Sequence, residues 1–221
     1  MNQTFLILTI LGMVFFGSIY GGLKGKIGNG VLVFKALATL MPVLAAFAGV
    51  RANNSMSGWL MVGGAVLCMV ADVLLELVLL AGVAVFALAH LLFIAGYACR
   101  YGMEWYTLIL FATGYLIFFV GLGKYLPEAK KMNRKKMVPD AVYLTGAAIY
   151  PAFLCGTAAM ALSGLIKSGY SLSAIPGAIG GVCFMISDYI LAWRTFTKRK
   201  ERKYSLILLI FYYSAVYLLV C

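Results

Sequence analysis

Charged residues are scarce in this chain. Only 11% of its 221 residues are Asp, Glu, Lys or Arg, whereas 64% are hydrophobic. An ordinary soluble domain is about half apolar and about a quarter charged, so the composition excludes that class. The mean hydropathy of +0.99 indicates that the bilayer is the solvent. Because an isolated strand leaves its backbone groups unpaired in lipid, we expect membrane-spanning helices.

Histidine and paired cysteines are also lacking. The chain has one histidine and five cysteines, and no two cysteines form a Cys-x-x-Cys motif. A zinc site usually needs several His or Cys ligands, and a disulfide framework needs an even cysteine count. We therefore expect no metal, no disulfide framework and no other cofactor.

Long apolar runs divide the chain into eight predicted spans. Only Gly82 suggests a turn within the apolar stretch from Leu77 to Ala89, yet one helix of ~40 residues would be about twice the bilayer core. We predict an all-α bundle of eight transmembrane helices in one domain, 1–221. The predicted spans are Thr4–Gly22, Gly30–Val50, Gly58–Leu77, Leu79–Ala98, Glu104–Gly123, Ala141–Ser163, Ala174–Trp193 and Tyr204–Val220.

The basic residues predict an orientation for this bundle. If the spans alternate in direction, fourteen of the eighteen Lys and Arg residues fall in odd-numbered loops and three in even-numbered loops, while Lys35 lies inside span two. The positive-inside rule then places the basic loops in the cytoplasm and both termini on the opposite side. Short basic loops favour contact with lipid headgroups over nucleic-acid binding. The first span lacks the flanks of a cleavable signal peptide, so we expect it to be retained.

Two apolar stretches each contain an aspartate three residues after a methionine. Alignment of "GGAVLCMVADVLLEL" on "GAIGGVCFMISDYIL" places Asp72 over Asp188 and Gly64 over Gly180. The match relates span three to span seven, which run in the same direction. We therefore predict a parallel duplication with halves 1–102 and 103–221. Chance recurrence of small and aliphatic residues is the alternative.

Ionisable side chains are predicted to meet in one half of the bundle. They are Asp72, Glu76, Asp188, Lys35 and His90, with Tyr143 and Tyr150 at a similar depth on span six. A charged side chain at mid-membrane costs about 2.5 to 3.5 kcal/mol, so these groups should face the interior and mark a functional site. A purely structural network, such as Lys35 paired with Asp72, is the alternative.

Several motifs around these residues resemble the YhhN-like lysoplasmalogenase family of multi-pass membrane proteins. They are "FKALATL" (Phe34–Leu40), "ADVLLEL" (Ala71–Leu77), "FALAHLLFIAGY" (Phe86–Tyr97) and "GGVCFMISDYILAW" (Gly180–Trp193). The chain departs from the family pattern at Ala36, where proline is usual, and at Ala71, where glycine is usual. The resemblance implies hydrolysis of the vinyl-ether bond of a lysoplasmalogen, to a fatty aldehyde and a glycerophospho-alcohol.

Vinyl-ether hydrolysis assigns roles to the predicted cluster. The reaction needs a proton donor and a carboxylate that stabilises a cation or activates water, for which we select Asp72 and Asp188 without deciding which is which. We expect Lys35 and His90 to orient them and Glu76 to be a reserve carboxylate. The remaining expected contacts with the lysophospholipid are Tyr143 and Tyr150 as substrate-binding residues, and Lys24, Lys26 and the loop 130–136 for its phosphate.

Two other function classes stay open from the sequence alone. A transporter for a lipid or amphiphile would also have parallel halves and ionisable groups near the midplane. An aspartyl intramembrane protease would also need two aspartates on neighbouring helices, but the usual Tyr and Gly-x-Gly neighbours are lacking here.

Overall fold

Every element of the described chain is helical. The computed structural model describes residues 3–26, 28–125, 140–197 and 201–221, without the side chains of 52–53 and 140–147. Eight of the described helices are long and apolar enough to span a membrane, which confirms the predicted all-α multi-pass fold. They are α1 Gln3–Leu23, α2 Leu32–Asn53, α3 Met56–Leu77, α4 Leu79–Tyr101, α5 Trp105–Gly123, α6 Asp140–Lys167, α7 Ile175–Thr197 and α8 Arg202–Val220, with a 3₁₀ turn at Asn29–Val31.

The break between α3 and α4 lies at Val78 and not at Gly82. Val78 has an extended backbone, with φ −139° and ψ 95°, and this one residue separates the two helices. Gly82 lies inside α4, where a Cβ atom would be 2.5 Å from the Leu75 Cα. The glycine that suggested a turn therefore permits a close approach of the two helices.

Helix α7 is longer than its apolar run. It ends at Thr197, four residues beyond the predicted end at Trp193. The hydroxyls of Thr195 and Thr197 donate to the carbonyls of Leu191 and Trp193, which keeps these groups satisfied inside the last turns. The apolar pattern stops at Arg194, but that side chain faces a polar cavity, so the helix continues past the charge.

Sequential helices are neighbours in each half of the chain. Helix α2 packs on α1 and α3, and α3 packs on α4; likewise α6 packs on α5 and α7, and α7 packs on α8. The halves meet where α2 packs on α8 and α4 packs on α6, and α8 also contacts α1 and α3. Duplication of the sequence into two halves stays a prediction.

Glycines of α7 pack inside the bundle. A Cβ atom at Gly180 would lie 2.8 Å from the backbone nitrogen of Leu219, so this glycine lets α7 and α8 approach closely. Gly177 packs on the Tyr97 ring and Gly181 on the Ala158 backbone. Packing within the bundle therefore accounts for this stripe of small residues.

Polar contacts mark opposite ends of the bundle. At one end Lys24 pairs with Glu76, just before α3 ends, and at the other Lys167 pairs with Glu104 just before α5 begins, with N···O distances of 2.5 Å in both pairs. The first pair thus places the last residues of α1 and α3 at one end of the bundle, and the second places the last residues of α6 beside the start of α5. The orientation of the bundle relative to the cytoplasm stays a prediction from the basic loops.

Candidate active site between two cavities

Asp72 is held by two side chains of α2. The Lys35 Nζ lies 3.4 Å from Asp72 Oδ1 and donates to the Asp72 backbone carbonyl at 3.0 Å. The Thr39 hydroxyl donates to Asp72 Oδ2 at 2.8 Å. Lys35 and Thr39 are one helical turn apart, so α2 presents both on the face that packs against α3. Asp72 is only 1% exposed, and its contacts fix the carboxylate in one orientation.

Glu76 lies one turn after Asp72, and three side chains donate hydrogen bonds to its carboxylate. The Tyr20 hydroxyl donates to Glu76 Oε1 at 2.6 Å, and Lys24 Nζ lies 2.5 Å from the same oxygen. Lys35 Nζ is 3.4 Å away and so lies between two carboxylates. Burial lowers the pKa of Lys24 from its ordinary value, and contact with Glu76 opposes that change. Glu76 therefore joins α1, α2 and α3 through hydrogen bonds and ion pairs.

Asp188 has different surroundings from Asp72. The Tyr150 hydroxyl on α6 donates to Asp188 Oδ2. Asp188 is 6% exposed, and in the described part of the chain it takes part in no ion pair. The two aspartates thus differ in one respect that matters chemically: Asp72 has a cation beside it and Asp188 does not.

An apolar cavity lies on one side of α7. Its volume is about 150 Å³, and it extends between α4, α5, α6 and α7. Asp188, Tyr150 and Thr195 are the residues with polar side chains in a wall that is otherwise apolar. The apolar residues of the wall are Leu79, Leu80, Val83, Phe118, Phe119, Leu122, Gly123, Pro151, Leu191, Ala192 and Phe196.

A polar cavity adjoins the first along α7 and shares two residues with it. Asp188 and Leu191 line both cavities. The ionisable residues of the polar cavity are Asp188, Asp72, Glu76, Lys24, Lys35, Arg194, Tyr20 and Tyr212. Asp188 therefore stands where an apolar space meets a charged one, a place suited to a molecule with an apolar part and a polar part.

A family comparison agrees with this membrane architecture. The model of the YhhN family matches residues 30–221, which is most of the chain and includes every helix that carries a site residue except α1. The chain belongs to the YhhN family. No curated protein and no solved structure matches it significantly. The matched range contains both aspartates, Lys35 and the whole apolar cavity of this YhhN protein.

His90 lies near the site but lines neither cavity. It is fully buried, its Nδ1 is 3.0 Å from the Thr157 hydroxyl, and its Nε2 has no hydrogen-bond partner among the described residues. Its ring packs on Phe184 and Tyr150, with centroids 4.6 and 5.9 Å away. His90 thus packs on Tyr150, which in turn donates to Asp188, and the orienting role of His90 stays a prediction.

The other predicted residues of the YhhN protein separate into two groups. The structure brings together Asp72, Glu76, Asp188, Lys35 and Tyr150 around the two cavities. Lys24 joins them, whereas Lys26 lines neither cavity. The side chain of Tyr143 and the loop 130–136 lie outside the described residues. No group of three His, Cys, Asp or Glu side chains suited to a metal ion occurs within the described ranges.

Sequence reasoning missed several residues of the site. Tyr20 and Tyr212, which line the polar cavity, are common residue types in membrane helices, so nothing in the sequence separates them from other core residues. Thr39, which donates to Asp72, was missed as well. The sequence predicts Arg194 only as a cation of the loop between spans seven and eight. A signal for Thr39 does exist, since a hydroxyl four residues after a buried lysine shares its helix face.

Proposed function

We propose that this protein hydrolyses the vinyl-ether bond of a lysoplasmalogen, yielding a fatty aldehyde and a glycerophospho-alcohol. The observation that carries the proposal is the position of Asp188, which lines an apolar and a polar cavity at once, with Asp72 in the polar one. The YhhN family is associated with this reaction, and the chain belongs to that family. The proposal gives each cavity one part of the substrate.

The substrate has an apolar part and a polar part that meet at the bond to be broken. Its single alkenyl chain matches the apolar wall between α4, α5, α6 and α7. Its glycerophosphate matches the polar cavity, which contains three cationic side chains. With the chain in the apolar cavity and the glycerophosphate in the polar one, the vinyl ether lies at Asp188, which lines both.

The reaction proceeds through carbon protonation. A carboxylic acid gives its proton to the alkene carbon farther from oxygen, which leaves an oxocarbenium ion at the carbon bonded to oxygen. A carboxylate takes a proton from water as the water oxygen bonds to that carbon, giving a hemiacetal. Loss of the alcohol from the hemiacetal gives the aldehyde, so one water is consumed in total.

Charge pairing supports different roles for the two aspartates in the proposed reaction. Asp72 lies 3.4 Å from the Lys35 ammonium, so its negative charge is compensated and it suits the role of carboxylate. Asp188 has no ion pair among the described residues, and an uncompensated buried charge is costly, so it suits the role of carboxylic acid. In this assignment Tyr150 positions Asp188, and Thr39 positions Asp72.

The direct test is incubation of purified protein with lysolipids that differ only in the chain linkage. We expect aldehyde from the vinyl-ether lipid and no product from the alkyl-ether lipid, because only an alkene accepts the proton. In D₂O, an aldehyde reduced at once to its alcohol should carry one deuterium on the carbon next to the former carbonyl.

Two results would contradict the proposal. One is the absence of aldehyde from every vinyl-ether lipid tested with folded protein. The other is flux of unaltered lipid across sealed vesicles that contain the protein, at a rate well above protein-free vesicles, which would favour the transporter alternative.

A further inference from the structure

Helix α7 contributes a second ionisable side chain to the polar cavity besides Asp188. Arg194 lines this cavity, and its guanidinium donates to the Ser205 hydroxyl of α8 at 2.8 Å. This contact links α7 to α8 at the cavity. Lys24 lines the same cavity from the loop that follows α1.

The spacing along α7 matches the length of a glycerophosphate. Asp188 and Arg194 are six residues apart, which corresponds to about 9 Å of helix. The vinyl-ether carbon and the phosphorus of a lysoplasmalogen are separated by a glycerol and two oxygens, which bridge a comparable distance when extended. A substrate with its vinyl ether at Asp188 therefore places its phosphate near Arg194.

The charge of the polar cavity fits an anion. Lys24, Lys35 and Arg194 provide three positive charges. Asp72 and Glu76 provide two negative charges, and Asp188 adds none in the acid form proposed above. One positive charge is left, and a phosphodiester carries one negative charge. Arginine suits this task because its planar fork of N–H donors matches two phosphate oxygens.

A buried hydroxyl near the reaction centre is available to the glycerol. Ser187 lines the polar cavity, is 1% exposed, and its Oγ has no hydrogen-bond partner among the described residues. Buried hydroxyls are normally hydrogen-bonded, so an unpartnered one in a cavity wall indicates a polar ligand. The free hydroxyl of a lysolipid glycerol is such a ligand and lies between the ether and the phosphate.

We infer that Arg194 and Lys24 form a phosphodiester subsite that selects lysolipids with a phosphate head over phosphate-free ether lipids. This inference rests on the proposed hydrolase function. It deepens that function by naming the two residues that bind the phosphate and so select the substrate. Lys24 lies 2.5 Å from Glu76 and lines the same cavity as Arg194, so both cations can reach one phosphate there.

The experiment compares two vinyl-ether substrates that differ only in the phosphate head. One is an alkenyl-glycerophosphoethanolamine and the other is the alkenylglycerol with the same chain, both at equal mole fraction in mixed micelles. For Arg194→Gln we expect KM for the phospholipid to rise about tenfold with kcat nearly unchanged, because the lost contact is to a remote part of the substrate. KM for the alkenylglycerol should not change, and that activity shows that the variant is folded.

Lys203 offers a matched control for Arg194. Lys203 is an exposed cation paired with Glu201 at the same end of the bundle and lines neither cavity, so Lys203→Gln should leave both substrates unaffected. Equal effects of Arg194→Gln on both substrates, or no effect on either, would overturn the subsite while leaving the hydrolase intact. Failure of the unmodified protein to act on either substrate would instead contradict the proposed function.

Discussion

At the scale of single residues, Lys35 is the cation on which two carboxylates depend. It is 4% exposed, and its ammonium lies 3.4 Å from an oxygen of Asp72 and 3.4 Å from an oxygen of Glu76. A buried ion pair is costly to form, but loss of one partner costs more, because the other is left as an uncompensated charge. The stability of this part of the bundle should therefore depend on the charge balance around Lys35.

Replacement of Lys35 by methionine tests this dependence. Lys35→Met keeps a similar side-chain volume but removes the ammonium, and we expect it to destabilise the folded protein by about 3–5 kcal/mol. Lys35→Met combined with Asp72→Asn should recover part of that loss, because the carboxylate left unpaired is then removed. Thermal unfolding in detergent measures both variants.

An exposed pair provides the comparison for Lys35. Lys203→Met removes a lysine from an exposed pair with Glu201 and should leave stability nearly unchanged, because water screens the charges of an exposed pair. If Lys35→Met and Lys203→Met behave alike, or if Asp72→Asn gives no recovery, Lys35 is not the balancing charge of this network.

The sequence allows the acids of the site to be predicted better than their partners. Asp72 and Asp188 interrupt apolar runs, where an acid is costly, so they stand out without a structure. Tyr20 and Arg194 belong to the site because of how α1 and α7 are rotated about their axes. That rotation depends on packing between helices, and in a membrane the apolar pattern does not fix it, because lipid and core are both apolar.

At the scale of helices, close contacts of glycine with a neighbouring backbone hold the site-bearing elements. Gly180 precedes Asp188 on α7 by two helical turns, and a Cβ there would lie 2.8 Å from Leu219 N and 3.0 Å from Ala215 O. Both atoms belong to the α8 backbone, which has no flexible side-chain end that could move aside. The distance between α7 and α8 is therefore limited by this glycine.

The prediction for this contact is a loss of stability from one added methyl group. Gly180→Ala should destabilise the fold by about 1–3 kcal/mol, the usual cost of overpacking. Gly49→Ala is the matched control, since Gly49 lies in α2 with no atom within 4 Å of the added Cβ and should be neutral or slightly stabilising. The thermal unfolding midpoints of both variants, measured in the same detergent, test this prediction. Equal midpoints for the two variants would contradict close α7–α8 packing at Gly180.

The apolar pattern predicts which helices exist better than it predicts where each helix ends. The existence of all eight helices was predicted because each apolar run has the length of a span. The predicted end of α7 was wrong by four residues, because a helix ends where its backbone contacts end and Arg194 still has a polar cavity to face. The predicted end of α3 and the predicted start of α4 agree with the break at Val78. Gly82, which suggested the turn between them, lies inside α4 instead.

At the scale of the whole molecule, the orientation in the membrane is a prediction that labelling can test. In a cysteine-free variant, Asn29→Cys and Ser173→Cys place single exposed thiols at opposite ends of the bundle. The positive-inside rule predicts that an impermeant thiol reagent reaches Ser173→Cys from outside and Asn29→Cys only after the cytoplasmic face is opened. The reverse pattern would mean that the polar cavity opens away from the cytoplasm.

The two cavities connect the whole fold to the proposed chemistry. The apolar cavity draws on helices of both halves of the chain, and so does the polar one. Asp188 and Leu191 of α7 are common to both. A substrate bound in this way touches both aspartates only when the complete bundle is assembled, so catalysis and folding are tied to the same helix contacts.

The central claim is that Asp72 and Asp188 carry out acid and base catalysis, and aldehyde release per folded molecule tests it most directly. Asp72→Asn and Asp188→Asn keep the side-chain shape, so each should insert and purify while turnover falls by at least about 100-fold. The double variant should be little worse than either single one, because groups that act as a unit are not additive. Glu104→Gln removes a carboxylate paired with Lys167 at the far end of the bundle and should retain full turnover. Near-normal turnover per folded molecule in Asp72→Asn or Asp188→Asn would contradict the account.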